Sequence, residues 1–402
     1  MIKSDQQRIT QHIRFGLMPL PFGTLLPSVA TSYILGKLGE NSVINMSEIF
    51  FKDARAEKAE DSQPEQIKKM LSRILPVESG DLVAIKIHCG EYGNTTHIRP
   101  IIVRTVVDLV KSAGGKPFVT ETTTLYKTNR FDAHALIETA ARNGFTQSSM
   151  GAPFIVADGL RGEDGRTVKI NGEILKEIRV ASAIAEADSM IVLSHGKGHP
   201  SSGFGGAIKH LGMGCLDNNG KSKVHEPGKP TVDIEKCIGC GNCLEMCGWN
   251  AIILNKVARI DGSKCRGELA CTMKCPTGAI CVPEGESEEM QKRLGEAALG
   301  PIKLLKGRIA YLNWIYDVTS GCDCFDFSDA PFVNNVGMIA GVDPVAIDAA
   351  SIDLINKQPF TPPFRHLEPN SDKFKAIWKV DPWIHLKVAE KLGVGERKYE
   401  IV

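Results

Sequence analysis

Short, almost wholly apolar runs recur along this chain, and between them the apolar residues fall at helical spacing. Residues 82–87 read Leu-Val-Ala-Ile-Lys-Ile, residues 116–121 Lys-Pro-Phe-Val-Thr-Glu, residues 190–194 Met-Ile-Val-Leu-Ser, and residues 308–314 Arg-Ile-Ala-Tyr-Leu-Asn-Trp. Runs of this length suit strands buried on both faces. Residues 47–51, 154–157 and 336–340 predict three more. Over residues 100–111, Ile101, Val103, Val106, Val107 and Val110 repeat with helical period, Pro100 suits the first turn, and Gly114-Gly115 stops the helix. Further helices are predicted over 133–143, 178–187, 345–356 and 385–392, with another beginning in the charged stretch 284–292. Strands alternating with helices predict an α/β fold, a mostly parallel sheet with helices on both faces.

This pattern breaks between residues 232 and 282, where cysteine and glycine dominate, and then resumes. The break is therefore an insertion in one host domain. The expected division is an N-terminal extension over 1–45 outside the folded part, a first host segment over 46–230, a small α+β insertion over 231–283, and a second host segment over 284–402. Residues 15–36 carry no charge, but Pro19, Pro21 and Pro27 interrupt them. Three prolines make a poor spanning helix, so no membrane association is expected.

The insertion carries the clearest chemistry. Its first run is Cys237-Ile-Gly-Cys240-Gly-Asn-Cys243-Leu-Glu-Met-Cys247, and its second is Cys265-Arg-Gly-Glu268-Leu-Ala-Cys271-Thr-Met-Lys-Cys275-Pro276. A shift of 28 residues lays Cys237, Cys243 and Cys247 on Cys265, Cys271 and Cys275, and lays Cys240 on Glu268. Three cysteines at a stride of three, with a fourth four residues on, match the two-cluster bacterial ferredoxin spacing rather than the separated pairs of a zinc site. In that spacing the fourth cysteine of each run crosses to the other cluster. One 4Fe–4S cluster would take Cys237, Cys240, Cys243 and Cys275. The second site would take Cys265, Cys271 and Cys247, with Glu268 at the fourth corner. A carboxylate is a hard ligand for this iron. Three outcomes follow: a 3Fe–4S cluster, a 4Fe–4S cluster with a non-cysteine fourth ligand, or recruitment of another thiol, Cys281 being the nearest in sequence.

Polar residues crowd the ends of the host strands, where open α/β sheets carry ligands. His88, His97 and Arg99 follow the first strand of the βαβ unit. His195, Lys197 and His199 follow a later one and are candidates for proton handling. The glycine-rich stretch holding Gly203, Gly205, Gly206 and Lys209 comes next, and with His97 and Arg99 it is the candidate site for an anionic ligand or cofactor. No Walker motif or dinucleotide fingerprint is present, so nucleotide binding is unsupported. The Cys322-Asp-Cys324 string admits a metal, packing or free thiols.

Composition narrows the setting. The 402 residues are 43% hydrophobic and 24% charged, with a net charge of +1, so nothing points to nucleic acid as partner. Twelve cysteines in a chain this long, seven of them in ligand spacing, indicate metal binding in a reducing, cytoplasmic compartment. The strings Gly93-Asn-Thr-Thr-His-Ile-Arg-Pro100, Gly203-Phe-Gly-Gly-Ala-Ile-Lys-His-Leu-Gly-Met-Gly-Cys215, Cys322-Asp-Cys-Phe325 and Asp343-Pro-Val-Ala-Ile-Asp348 resemble the family known as domain of unknown function 362. The resemblance implies an α/β core interrupted by a ferredoxin, often in anaerobes, and no particular reaction. Glu268 departs from the full cysteine set of such insertions. The expected function is single-electron transfer by the ferredoxin module to or from a site in the host domain, the partner being a redox protein or a small-molecule substrate. Two alternatives remain: a redox-sensing or cluster-containing enzyme, of oxidoreductase type, acting on a small anionic ligand near residues 195–210, and a cluster carrier or scaffold.

Overall fold

A computed structural model of the chain describes residues 46–402; the extension over 1–45, including the uncharged stretch 15–36, lies outside the described residues. The apolar runs assemble into one eight-stranded sheet. In chain order its strands are β1 (Ser47–Asp53), β2 (Leu82–Lys86), β3 (Lys116–Glu121), β4 (Phe154–Val156), β5 (Ser189–His195), β6 (Ile309–Ile315), β7 (Gly337–Gly341) and β8 (Tyr399–Ile401). Across the sheet they stand in the order β8-β1-β7-β6-β5-β2-β3-β4. All neighbours are parallel except that β7 runs against both β1 and β6. The fold is therefore α/β with a mostly parallel sheet.

Each central strand is buried on both faces, and its alternate side chains enter two different cores. Ile85, Ile191, Leu193, Leu312 and Trp314 pack with α1 (Gln63–Leu71) and α2 (Pro100–Ser112). Ala84, Met190, Val192 and Tyr311 pack on the other face with α4 (Glu286–Ala297) and α5 (Pro344–Asn356). Between these, α3 (Ala133–Arg142) starts at Asp132, whose side chain accepts the N–H of Ala135. Parallel pairing sets Lys86 opposite Thr120 and Val192, and Trp314 opposite His195. The loops after β2, β3, β5 and β6 thus emerge together along one edge.

One predicted helix is absent. Residues 178–187 were expected to be helical, but Glu177–Ala181 is a strand paired antiparallel with Gly165–Lys169, and only Ser182–Ala185 turns into helix. Ile178 and Val180 are buried while Arg179, between them, reaches Asp217 (Nε to Oδ2, 2.7 Å). That is the two-residue alternation of a strand.

Within the insertion, Thr231–Val232 pairs with Ile280–Cys281 and draws its two ends together. A hairpin of Ile252–Leu254 with Ala258–Ile260 and two short helices, Asn242–Met246 and Ala270–Met273, complete a small α+β unit.

The C-terminal helix Ile384–Lys391 supplies a test of the packing. His385 is fully buried there, with Nδ1 2.9 Å from Gln291 Oε1 on α4. Burial, followed by the charges of Lys209 and His199, holds its pKa down to about 3. The unfolded chain binds a proton at this residue below about pH 6.5 and the folded chain does not, so its contribution is complete above that pH and is lost as the pH falls toward 3. Denaturant unfolding at pH 7 and pH 5 should show a smaller loss for His385→Leu than for the parent. An equal loss would mean that this ring is not held neutral.

Candidate iron–sulfur centres and the host-domain cluster beside them

The insertion's donors gather around two hollows. Cys237, Cys240, Cys243 and Cys275 line the first, among Gly239, Gly241, Ala258 and Ala279. Gly239 and Gly241 have φ of 67° and 83°, a left-handed backbone that lets the loop turn tightly between its cysteines. The N–H of Ala258 points to Cys237 Sγ at 3.4 Å and that of Ala279 to Cys275 Sγ at 3.2 Å, as suits sulfurs carrying negative charge. Cys247, Cys265, Cys271 and Glu268 line the second hollow. There burial, and then the neighbouring Cys265, Cys247 and Glu268, push the Cys271 thiol up to about 12. Donors that oppose one another's ionisation become compatible when a cationic centre sits between them. Both donor sets thus fit iron–sulfur clusters. Cys281 lines neither hollow, and its Sγ lies 3.7 Å from Ala279 O.

The two hollows differ in surroundings. Around the first, Cys240 is exposed, and Ile238 is 68% exposed. The second abuts the host domain and shares Leu125 and Tyr126 in its wall. Trp249 Nε1 donates to Leu125 O at 2.6 Å, and Lys127 N donates to Met246 O at 3.3 Å, fastening the module to the loop after β3. Gly248, which the internal repeat lays on Pro276, allows this docking: any Cβ there would collide with the Phe131 ring. Burial, opposed by the Ala270 N–H and the charge of Lys209, pushes the Glu268 carboxyl up to about 8. Burial also raises the Tyr126 hydroxyl well above its ordinary range, with Cys324 and Glu268 adding to it. Tyr126 therefore stands within electrostatic reach of both the module's glutamate and the host's Cys324.

Behind Tyr126 lies a buried polar knot that no local pattern in the sequence announces. Arg130 donates to Tyr126 Oη (2.6 Å), Glu91 Oε2 (3.2 Å) and Glu121 Oε1 (3.3 Å). A second knot holds the loop after β6. Asp323 faces His195 Nδ1 at 3.0 Å and Lys197 Nζ at 2.8 Å, and His195 Nε2 lies 2.8 Å from Tyr316 O. Burial opposes ionisation of Asp323, but His195 and Lys197 hold its carboxyl far below the usual range. Both ring nitrogens of His195 are thus engaged inside the protein, and Lys197 is buried in the same ion pair. Neither presents a free group to a substrate; both fix the position of Asp323 and its neighbours.

The glycine stretch behaves similarly. Gly203–Gly205 forms a hairpin with Lys197–His199, which places Gly205 opposite Lys197 and Gly203 opposite His199. Beyond it, where an external anion was expected, the N–H groups of Ala207 and Ile208 donate to Asp348 at 2.7 and 2.9 Å. A Cβ at Gly206 would strike that carboxylate, and one at Gly203 would press on Pro382. These two glycines allow close approach of the chain's own residues. Arg99 is also diverted: it pairs with Asp317 at 3.0 Å and is 56% exposed. His97 packs on Phe145, and burial lowers its pKa. What the hairpin does bring together is Lys209, His199, Cys322 and Cys324. The ligand atoms of His199 and the two cysteines lie within 4.8 Å of one another, and Lys209 Nζ is 3.9 Å from Cys322 Sγ.

Sheet, insertion and donor sets define a class: an α/β protein carrying a ferredoxin-type module. Residues 83–353 match the family described as domain of unknown function, DUF362, and the chain belongs to it. Short segments are also similar to known proteins, some of them named ferredoxins. An uncharacterized ferredoxin of Methanocaldococcus jannaschii is 34% identical over 71 residues, covering 15% of this chain and 92% of its own length. A pyruvate synthase subunit PorD of Methanothermobacter marburgensis is 40% identical over 77 residues, covering 19% and 89%. Among solved structures, the lactate racemase apoprotein of Thermoanaerobacterium thermosaccharolyticum aligns at a TM-score of 0.30 and 14% identity, over 62% of this chain and 49% of that one.

Proposed function

We propose that this protein transfers single electrons between a redox partner and the host-domain cluster of Lys209, Cys322 and Cys324. When bound, iron–sulfur clusters at the two donor sets supply reversible one-electron chemistry. The observation that carries the reading is the placement of the two hollows. The first has an exposed cysteine on the solvent side, and the second shares Tyr126 with the host. The ferredoxin-named relatives support the iron–sulfur role in general. The residues in between have definite tasks. Trp249 and Gly248 hold the module against the loop after β3. Arg130 fixes Tyr126, and Lys209 supplies positive charge between Glu268 and Cys322.

The enzyme alternative draws less support. His195 is committed at both nitrogens, and the helix start beside the glycine stretch already holds Asp348. Among the described residues no helix is long and apolar enough to cross a membrane. Reduced methyl viologen added to the anaerobically purified protein should bleach its visible cluster absorbance, and oxidised viologen should restore it. Absorbance that ignores the mediator in both directions would mean clusters with a structural role only.

A further inference from the structure

We propose that Cys322 and Cys324 form a dithiol–disulfide couple that stores a pair of electrons in the host domain; this rests on the electron-transfer reading above and names the site at the inner end of the path. Four observations point to it. The two sulfurs lie within 4.8 Å of each other on one short turn, closed by the Phe325 N–H donating to Cys322 O at 3.0 Å. The residue between them, Asp323, is clamped by His195 and Lys197, so its side chain points away and the turn is held. Lys209 Nζ and the His199 ring both approach Cys322, an environment that stabilises a thiolate. Tyr126, in the wall of the Glu268 hollow, is within electrostatic reach of Cys324.

The same three donors could suggest a metal ion, but His199 speaks against it. Its Nδ1 accepts the N–H of Ser201 at 3.1 Å and of Ser202 at 3.2 Å. The ring hydrogen therefore sits on Nε2, which donates to Cys322. A metal-ligating histidine shows the opposite arrangement, a bare nitrogen on the metal and an N–H donated outward. The thiols are also unequal, as a working couple requires. The hydrogen bond from Cys324, and then the charges of Lys209 and Lys197, draw Cys322 well below the ordinary thiol range, while its role as donor keeps Cys324 well above it.

The step balances without further groups. The Cys322 thiolate and the Cys324 thiol join in an S–S bond, releasing two electrons and one proton. The electrons leave singly to a one-electron carrier of iron–sulfur or viologen type. The proton leaves from Cys324, which is only partly buried. Reduction reverses each event.

The test uses the full-length protein with its clusters. Anaerobic samples are equilibrated with reduced methyl viologen or with an oxidised mediator of higher potential such as a phenazine, denatured in N-ethylmaleimide, and the peptide bearing Cys322 and Cys324 is weighed. Both cysteines should be labelled after reduction and neither after oxidation, and Cys324→Ser should abolish the difference at Cys322. Labelling of both in every state overturns the couple. So does a stoichiometric metal ion that disappears in Cys322→Ser while the cluster iron stays. Cluster absorbance read in the same samples reports on the electron-transfer proposal separately, so a silent couple beside responsive clusters refutes only this inference.

Discussion

Arg130→Leu should lower the unfolding free energy by about 3–5 kcal/mol, the cost of leaving buried charges without their partner. The guanidinium is 2% exposed and sits between Glu91 and Glu121, themselves 1% and 4% exposed at the side chain. Its removal strands two carboxylates in a low-dielectric interior and frees the Tyr126 hydroxyl. Burial alone would raise Glu121, but the charges of His88, Lys86 and Arg130 prevail and hold its pKa near 2. A carboxyl depressed in this way contributes stability above its unfolded value of about 4.5, and that contribution is lost as pH falls toward 2. The deficit of the variant should therefore shrink in acid. Denaturant midpoints at pH 7 and pH 4 check both points, and a loss below about 1 kcal/mol at pH 7 would mean that the knot is solvated.

Glu268→Cys should have the largest effect on the centres themselves. It completes the internal repeat, giving the inner hollow four thiolates in place of three and a carboxylate. The expected result of anaerobic EPR and iron analysis is conversion of that site to an ordinary 4Fe–4S centre, with the signal of the Cys240 site unchanged. Spectra identical to those of the parent would remove Glu268 from the fourth corner. The side chain's position makes the change informative beyond cluster type. Glu268 feels the charge of Lys209 in the host domain.

The fold was legible in the sequence wherever strands are buried on both faces. Such strands must be apolar along their whole length, so β2, β3, β5 and β6 stand out as runs. The direction of β7 was not legible, because a short buried run looks the same whichever way it pairs. Residues 178–187 misled because Val180, Ala181, Ile184 and Ala187 fall at helix spacing while Ile178 and Val180 alternate as in a strand, and only the pairing in the structure separates the two.

The gathering of the module's cysteines around two hollows was legible for a different reason: such spacing is local, and a repeat within one chain checks itself. The host site was not local. Asp323 reaches His195 across 128 residues and Asp348 reaches Ala207 across 141. The glycines at 203 and 206 announced a close approach without saying that the approaching groups belonged to the chain itself. The middle residue of Cys322-Asp-Cys324 was the available signal. An aspartate between two cysteines in a buried loop needs a cationic partner, and His195 and Lys197 were the candidates.

The proposed path runs from the surface through two unequal one-electron centres to the Cys322–Cys324 turn. A potentiometric EPR titration of the anaerobic full-length protein tests it most directly. The expected result is two centres that each take up one electron reversibly and broaden each other's signals, only one of which changes in Glu268→Cys. A single reducible centre, or two that both ignore that substitution, would contradict it.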